Sequence, residues 1–287
     1  MPLSSSGAHH DRKVTVPEIR SRKSVGSLVA VTAYDFTMAR LVDEAGVDIV
    51  LVGDSLGMIV QGLETTLPVT LDDMCYHGRA VVRARPRAHV VGDMPFMSYQ
   101  VSQAQAVESA GKLVKEGAFE SVKLEGGEEI AEHVRLITRL GIPVMGHVGM
   151  QPQSVHAYGG FKVQGKDAVS AAKILADARA LESAGAYAIV IEAVPPAVAR
   201  EVTSAVKVPT IGVGAGPACD GQVLVCTDLL GLSRGHAPKF AKRYAELGDA
   251  VVDAVRRYTQ EVRSGAFPAA EHAYQTSEGQ PPASRRG

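Results

Sequence analysis

The chain repeats one local pattern, and that repetition limits its fold more than any other feature. "DEAGVDIVLVGD" from 43, "VKEGAFESVKLE" from 114 and "ESAGAYAIVIE" from 182 each read as a helix ending at a glycine, a turn, a β-rich run and a carboxylate. The glycines are Gly46, Gly117 and Gly185, and glycine tolerates the left-handed conformation that closes a helix. "RLGIPVMGH" from 139 is a shorter version that ends on His147. Helix and strand alternating in this way imply parallel strands joined by crossover helices.

Candidate strands fall near 28–33, 48–53, 88–92, 121–125, 142–147, 187–191, 209–213 and 222–226. The segments between them carry apolar residues at helical spacing. That from 102 starts on Ser102 as N-cap and sets Val107, Ala110, Leu113 and Val114 on one face. Eight strand–helix units between 28 and 263 match the roughly 250 residues of a (β/α)8 barrel. A doubly wound open sheet would want a G-x-G-x-x-G turn after an early strand, and none is present. The expected fold is therefore α/β, a (β/α)8 TIM barrel, forming one catalytic domain over 13–274. Polar tails at 1–12 and 275–287 read as disordered. The stretch 238–263 reads as one long last helix whose apolar face suits a neighbouring subunit or a longer intramolecular cover.

Composition narrows the partners. The formal net charge is −1, so no basic field advertises nucleic acid or an anionic membrane. No apolar run reaches the ~18 residues of a membrane span. The N-terminal stretch lacks the apolar core of a secretory signal. Cys75, Cys219 and Cys226 show no C-x-x-C spacing, so neither a disulfide framework nor a thiolate zinc site is indicated. A cytoplasmic protein acting on small molecules is expected.

In a barrel the C-terminal ends of the parallel strands meet at one face, where catalytic groups sit. Asp54 follows "VLVG", Asp93 follows "AHVVG", Glu125 ends "SVKL", His147 follows "IPVMG" and Glu192 ends "YAIVI". Carboxylates gathered there would repel unless a cation were bound, and hard oxygen donors without thiolates favour Mg²⁺ or a similar divalent ion. Each residue also has a plainer reading. Asp54 can be a helix N-cap, Asp93 a turn residue before Pro95, and His147 a satisfied core histidine. Lys123 is harder to dismiss, because strand alternation puts it on the face of Glu125, inside the barrel, where an unpaired lysine is costly. "IGVGAGPACDGQ" from 211 is either a close approach to a ligand or a plain turn around Gly212, Gly214 and Gly216, and Met74 and Cys75 read as helix core.

Several stretches together resemble the ketopantoate (3-methyl-2-oxobutanoate) hydroxymethyltransferase family: "TAYD" at 32–35, "VGDSLGM" at 52–58, "GDMPF" at 92–96, "VKLEGG" at 122–127, "GHVGMQPQS" at 146–154 and "IVIEAVP" at 189–195. "IGVGAGPACDGQ" and "FPAAEHAY" near the end fit as well, and the likeness covers about 13–274. The resemblance implies a barrel of the phosphoenolpyruvate/pyruvate type. It would transfer a hydroxymethyl group from 5,10-methylenetetrahydrofolate to 3-methyl-2-oxobutanoate, on the way to pantothenate and coenzyme A. It also implies Mg²⁺ on Asp54, Asp93 and Glu125, the last through water in one version. Substrate contacts would fall to Asp54, Ser55, Asp93 and Lys123 with His147 close by, Glu192 would be the base, and ten subunits would associate. A divalent ion suits a 2-oxo acid, whose carbonyl it polarises, and Glu192 in its partly apolar setting ("IVIEAV") can accept a proton. A lyase or mutase of the same barrel group would carry a lysine-cysteine-glycine-histidine loop, which is absent. A non-catalytic binding barrel would need no base.

Overall fold

A computed structural model describes residues 12–233 and 238–274. The expected tails lie outside these residues, apart from Arg12. Eight strands, β1 (Leu28–Thr32), β2 (Ile49–Val52), β3 (His89–Asp93), β4 (Ser121–Glu125), β5 (Val144–Gly149), β6 (Ala188–Glu192), β7 (Thr210–Val213) and β8 (Gly221–Leu224), close in sequence order into a barrel. Every pair is parallel, and Leu28 of β1 registers with Gly221 of β8 to complete the ring.

Parallel strands covered on both faces read as continuous apolar runs. Strand alternation sorts the side chains into two clusters. Leu28, Ile49, Val91, Met145 and Val190 point into the barrel. Val50, Val90, Val122, Val144 and Ile189 point outward under the helices. The helices start where local chemistry provides a cap. Ser102 accepts from Gln105 N, as its sequence position suggests, and Thr70 with Asp73 forms a capping box. Met74 and Cys75 are helix core, fully buried.

Gly46 and Gly185 have φ of +87° and +105° and end their helices as expected. Gly117 does not. The left-handed residue there is Ala118, at φ +61°, and Gly117 instead leaves room for a ring. A Cβ on Gly117, Gly78 or Gly92 would come within 2.5–2.7 Å of Phe119. Phe119 thus sits in a cage of three glycines that sets how closely the Leu71–Val82 helix approaches β3.

Two expectations about the end of the barrel are corrected. No helix joins β7 to β8; residues 214–220 cross directly. The turn uses Gly214 and Gly216, with φ of +62° and +79°. The last helix is Leu247–Ser264, not a run from 238. Residues 238–246 fail to continue it because this stretch folds back along the chain. The N–H groups of Tyr244, Leu247 and Gly248 donate to the carbonyls of Leu229, Leu230 and Gly231, so those donors do not serve i−4 helical partners. The Leu247–Ser264 helix has no buried residue. Its apolar stripe of Leu247, Val251, Val255, Tyr258 and Val262 stays exposed, as does Val29 on the outer face of β1.

At the N-terminal end of the barrel Asp220 ties the ring shut. Its carboxylate accepts from Ser24 N, Thr210 N and Lys23 Nζ at 2.8–3.0 Å. No helix among the described residues is long and apolar enough to cross a membrane.

Candidate active site

The C-terminal ends of β2 to β6 open into a cavity of about 640 Å³, and the residues singled out in the sequence, Asp54, Ser55, Asp93, Lys123, Glu125, His147 and Glu192, all line it. Alternation explains the convergence. Asp93, Lys123 and Glu125 occupy inward positions, and register places Asp93 opposite Lys123 and Glu125 opposite His147. Asp54 and Ser55 follow β2 directly. Glycine at 53 is needed there, since a Cβ would come 2.7 Å from Ser55 Oγ and 3.2 Å from Asp93 Oδ2.

Opposite charges alternate across the cavity floor. Lys123 Nζ lies 3.0 Å from Asp93 Oδ1, an ion pair whose angles fall outside hydrogen-bonding geometry. His147 places Nδ1 3.5 Å from Glu125 Oε1 and Nε2 3.1 Å from Glu192 Oε2. Lys123 Nζ also lies 3.3 Å from His147 Nδ1. Asp54 N donates to Asp93 Oδ2 at 3.1 Å, and Tyr34 Oη shares a 2.8 Å hydrogen bond with Ser55 Oγ.

These groups are 2–6% exposed, apart from Ser55 and Glu192, so burial dominates their ionisation and the neighbours decide the outcome. Burial raises the pKa of Asp54, and the charges of Asp93 and Glu125 raise it further. Burial also raises that of Asp93, although Lys123 pulls against it. For Glu125 burial pushes up, but His147, Lys123 and the N–H of Gln153 outweigh it and the value is lowered. Burial opposes a charge on His147, as does Lys123, yet Glu125 and Glu192 prevail and lift its pKa to about 9. Burial likewise opposes the Lys123 charge, and Asp93, Glu125 and Asp54 raise its pKa despite it. Glu192 shares the cavity wall with Val190, Ala193 and Val213, the partly apolar setting expected. Its carboxylate lines the cavity against His147.

Sequence reasoning missed Gln153, Tyr99 and Tyr34. Gln153 and Tyr34 lie within the stretches "GHVGMQPQS" and "TAYD", yet neither a neutral amide nor a phenol raises the alarm that a buried charge does. Among the described residues no three His, Cys, Asp or Glu side chains form a ready metal cage. The donor set nevertheless fits a hard cation of the Mg²⁺ kind, which is commonly held by one or two carboxylates with the remaining positions left to water and substrate. Of the three glycines in and after β7, Gly214 lines the cavity, whereas a Cβ on Gly216 would press on Pro196 and one on Gly212 on Cys219 and Gln222.

The family model described as ketopantoate hydroxymethyltransferase matches residues 13–270. The chain belongs to this family. The 3-methyl-2-oxobutanoate hydroxymethyltransferase of Anaeromyxobacter sp. (strain Fw109-5) is 56% identical over 271 residues, covering 93% of this chain and 89% of that protein. The protein of the same name from Trichlorobacter lovleyi is 53% identical, covering 92% of this chain and 99% of that protein. As a member of the ketopantoate hydroxymethyltransferase family the chain is an enzyme, a transferase. In fold it is similar to 2,3-dimethylmalate lyase of the PEP mutase/isocitrate lyase superfamily, with a TM-score of 0.56 at 17% identity over 90% of this chain and 91% of that one. Phosphonopyruvate hydrolase, solved with oxalate and Mg²⁺, gives 0.58 at 15% identity over 90% and 92%. These likenesses agree with the closed (β/α)8 barrel described above.

Proposed function

We propose that the chain transfers a hydroxymethyl group from 5,10-methylenetetrahydrofolate to 3-methyl-2-oxobutanoate, giving 2-dehydropantoate and tetrahydrofolate in pantothenate and coenzyme A biosynthesis. The observation that carries this reading is the pairing of Glu192 with His147 beside the buried cluster Asp54, Asp93, Lys123 and Glu125. It sets a proton acceptor next to a site built for a small anion and a cation.

Asp54 and Asp93 would hold Mg²⁺, with Glu125 behind them. When bound, the ion polarises the keto group of the oxo acid. Lys123 and Ser55 receive the substrate carboxylate, Ser55 being oriented by Tyr34. Glu192 takes the C3 proton while His147 holds one of its oxygens. The C3 carbon then bonds to the folate methylene, and one water is consumed as tetrahydrofolate leaves. The size of the cavity supports a second substrate, because about 640 Å³ far exceeds one oxo acid. Its exposed apolar lining, Met58, Phe161, Val163 and Phe240, suits a flat heterocycle.

The domain at work is 13–274, in a cytoplasmic homo-oligomer, a decamer by likeness to the family, that binds neither nucleic acid nor membrane. The exposed stripe on Leu247–Ser264 and the bare outer face at Val29 support contact between copies, because contiguous apolar surface of this kind marks association. Light scattering of the whole protein should give an oligomer, and a chain ending at 246 should give smaller or aggregated species. A monodisperse, active monomer of the whole protein would end the oligomer reading.

The activity is tested with 3-methyl-2-oxobutanoate, Mg²⁺ and D₂O, without folate. Proton NMR should show loss of the C3 hydrogen signal, and added 5,10-methylenetetrahydrofolate should yield 2-dehydropantoate. Absence of both exchange and product rejects the proposal.

A further inference from the structure

Gln153 stands on the turn Pro152–Ser154 that follows β5 and is 7% exposed. Its backbone N–H donates to Glu125 Oε2 at 3.1 Å. Its Nε2 donates to Asp54 Oδ2 at 2.9 Å and to the Met94 carbonyl at 2.9 Å. Its Oε1 accepts from Gln100 Nε2 at 3.0 Å and lies 2.9 Å from Tyr99 Oη. The amide has one possible orientation. A carbonyl only accepts, so the nitrogen must face Met94, and the Gln100 amide fixes the oxygen. Tyr99 anchors the frame from below, its hydroxyl meeting the Glu125 carbonyl at 2.9 Å and the Glu125 N–H at 3.2 Å. One residue therefore ties the ends of β2 and β4 to the loops after β3 and β5.

We propose that Gln153 is the positioning residue of the cation site, holding Asp54 Oδ2 through its Nε2 so that Asp54 turns its other oxygen toward a divalent ion, while its backbone N–H steadies Glu125. The proposal rests on the reading that Asp54 and Glu125 serve such an ion. Mg²⁺ demands near-octahedral geometry, whereas Ca²⁺ takes six to eight oxygens and accepts both oxygens of one carboxylate. An amide donating to one carboxylate oxygen competes with a metal for that oxygen and so favours one-oxygen binding through the other. Gln153 thus biases the site toward the smaller ion and leaves positions for the two oxygens of a 2-oxo acid. This is a role in selectivity, separable from a role in holding the fold.

The test is Gln153→Met in the full chain, which keeps side-chain length and removes both side-chain donors. The backbone N–H, and with it the hold on Glu125, is unchanged. Calorimetric titration with Mg²⁺ and with Ca²⁺ gives the ratio of the two Kd values for wild type and variant. The ratio should move at least five-fold in favour of Ca²⁺. A merely structural role would weaken both ions alike, so a ratio that moves less than five-fold overturns the proposal. If Gln153→Met does not fold, Gln100→Leu removes the donor that fixes Oε1 while leaving Gln153 in place. Its ratio should move at least two-fold in the same direction, and a smaller or opposite change overturns the proposal. Wild-type protein that binds no Mg²⁺ removes the underlying reading and this proposal with it.

Discussion

Glu192 Oε2 lies 3.1 Å from His147 Nε2, and His147 Nδ1 in turn faces Glu125 Oε1 at 3.5 Å. The imidazole thus stands between two carboxylates that line the same cavity, within ion-pair distance of both.

Glu192→Gln keeps the size of the side chain but cannot accept the C3 proton. Exchange of that hydrogen should fall by about 10²–10⁴-fold, the usual share of a general base. Oxo-acid affinity, measured by calorimetry, should stay close to wild type. Exchange and full turnover should fall together. Exchange at the wild-type rate with collapsed turnover would move the base elsewhere, with His147 the first candidate.

Asp54→Asn and Asp93→Asn should each weaken Mg²⁺ binding and lower turnover by roughly 10²-fold or more, but Asp93→Asn should be the less stable of the two. Asp93 is the 3.0 Å partner of a lysine only 5% exposed, and stranding a buried charge costs about 3–5 kcal/mol. Asp54 has its pKa raised by burial and by two like charges, so neutralising it relieves the metal-free protein. Thermal melting in chelator should therefore place Asp93→Asn below Asp54→Asn. Equal losses in both variants would contradict this.

Gly92→Ala adds a Cβ that would lie 2.7 Å from ring atoms of Phe119. Overpacking of this kind costs about 1–3 kcal/mol. Phe119→Leu in the same chain should recover part of the loss, giving a coupling of opposite sign to the single effects. Urea denaturation of the two single variants and the double variant measures it. Strict additivity would show that the glycine cage has no packing role.

Asp220→Asn tests the clasp between β8 and the segment before β1. Burial alone would raise the pKa of Asp220, but the N–H groups of Thr210 and Ser24 and the Lys23 ammonium outweigh it and lower the value. A carboxyl lowered on folding stabilises fully above its unfolded pKa near 4 and loses that contribution as pH falls through the folded value. The wild type should exceed the variant by roughly 1–3 kcal/mol at pH 7, with the gap closing below about pH 4. Urea unfolding from pH 3 to 7 gives the curve. A gap independent of pH would exclude the carboxylate charge as its source.

Strands were legible in the sequence because each is a short β-rich run closed by a polar residue. The rim residues were legible because a charge directly after such a run, as at Asp93 or Glu125, demands an explanation. The crossing from β7 to β8 was legible only in part: a plain turn was one of two readings of its glycines, but the count of eight strand–helix units put a helix where residues 214–220 leave no room for one. Gly117 was misread for a related reason: the sequence shows that a Cβ is missing, not whether backbone angle or a neighbouring ring requires its absence. The false start of the last helix at 238 has a different cause. Apolar spacing continues through 238–246, but the N–H groups of Tyr244, Leu247 and Gly248 are committed to Leu229, Leu230 and Gly231, a tertiary choice that local pattern cannot reveal. Gln153 lay within a stretch marked by its neighbours, and only its four-way contact shows why an amide stands there.

Closure of the ring through β1 and β8 also dictates an order of events at the ribosome. β1 emerges first and waits for the strand that pairs with it, which follows roughly 190 residues later, so at about 5–20 residues per second its free edge stays open for roughly 10–40 s. Throughout that time the nascent sheet presents unpaired backbone donors and acceptors to any passing strand. Translation speed and chaperone supply therefore bear on the yield of this barrel more than on that of a chain whose neighbours in space are neighbours in sequence.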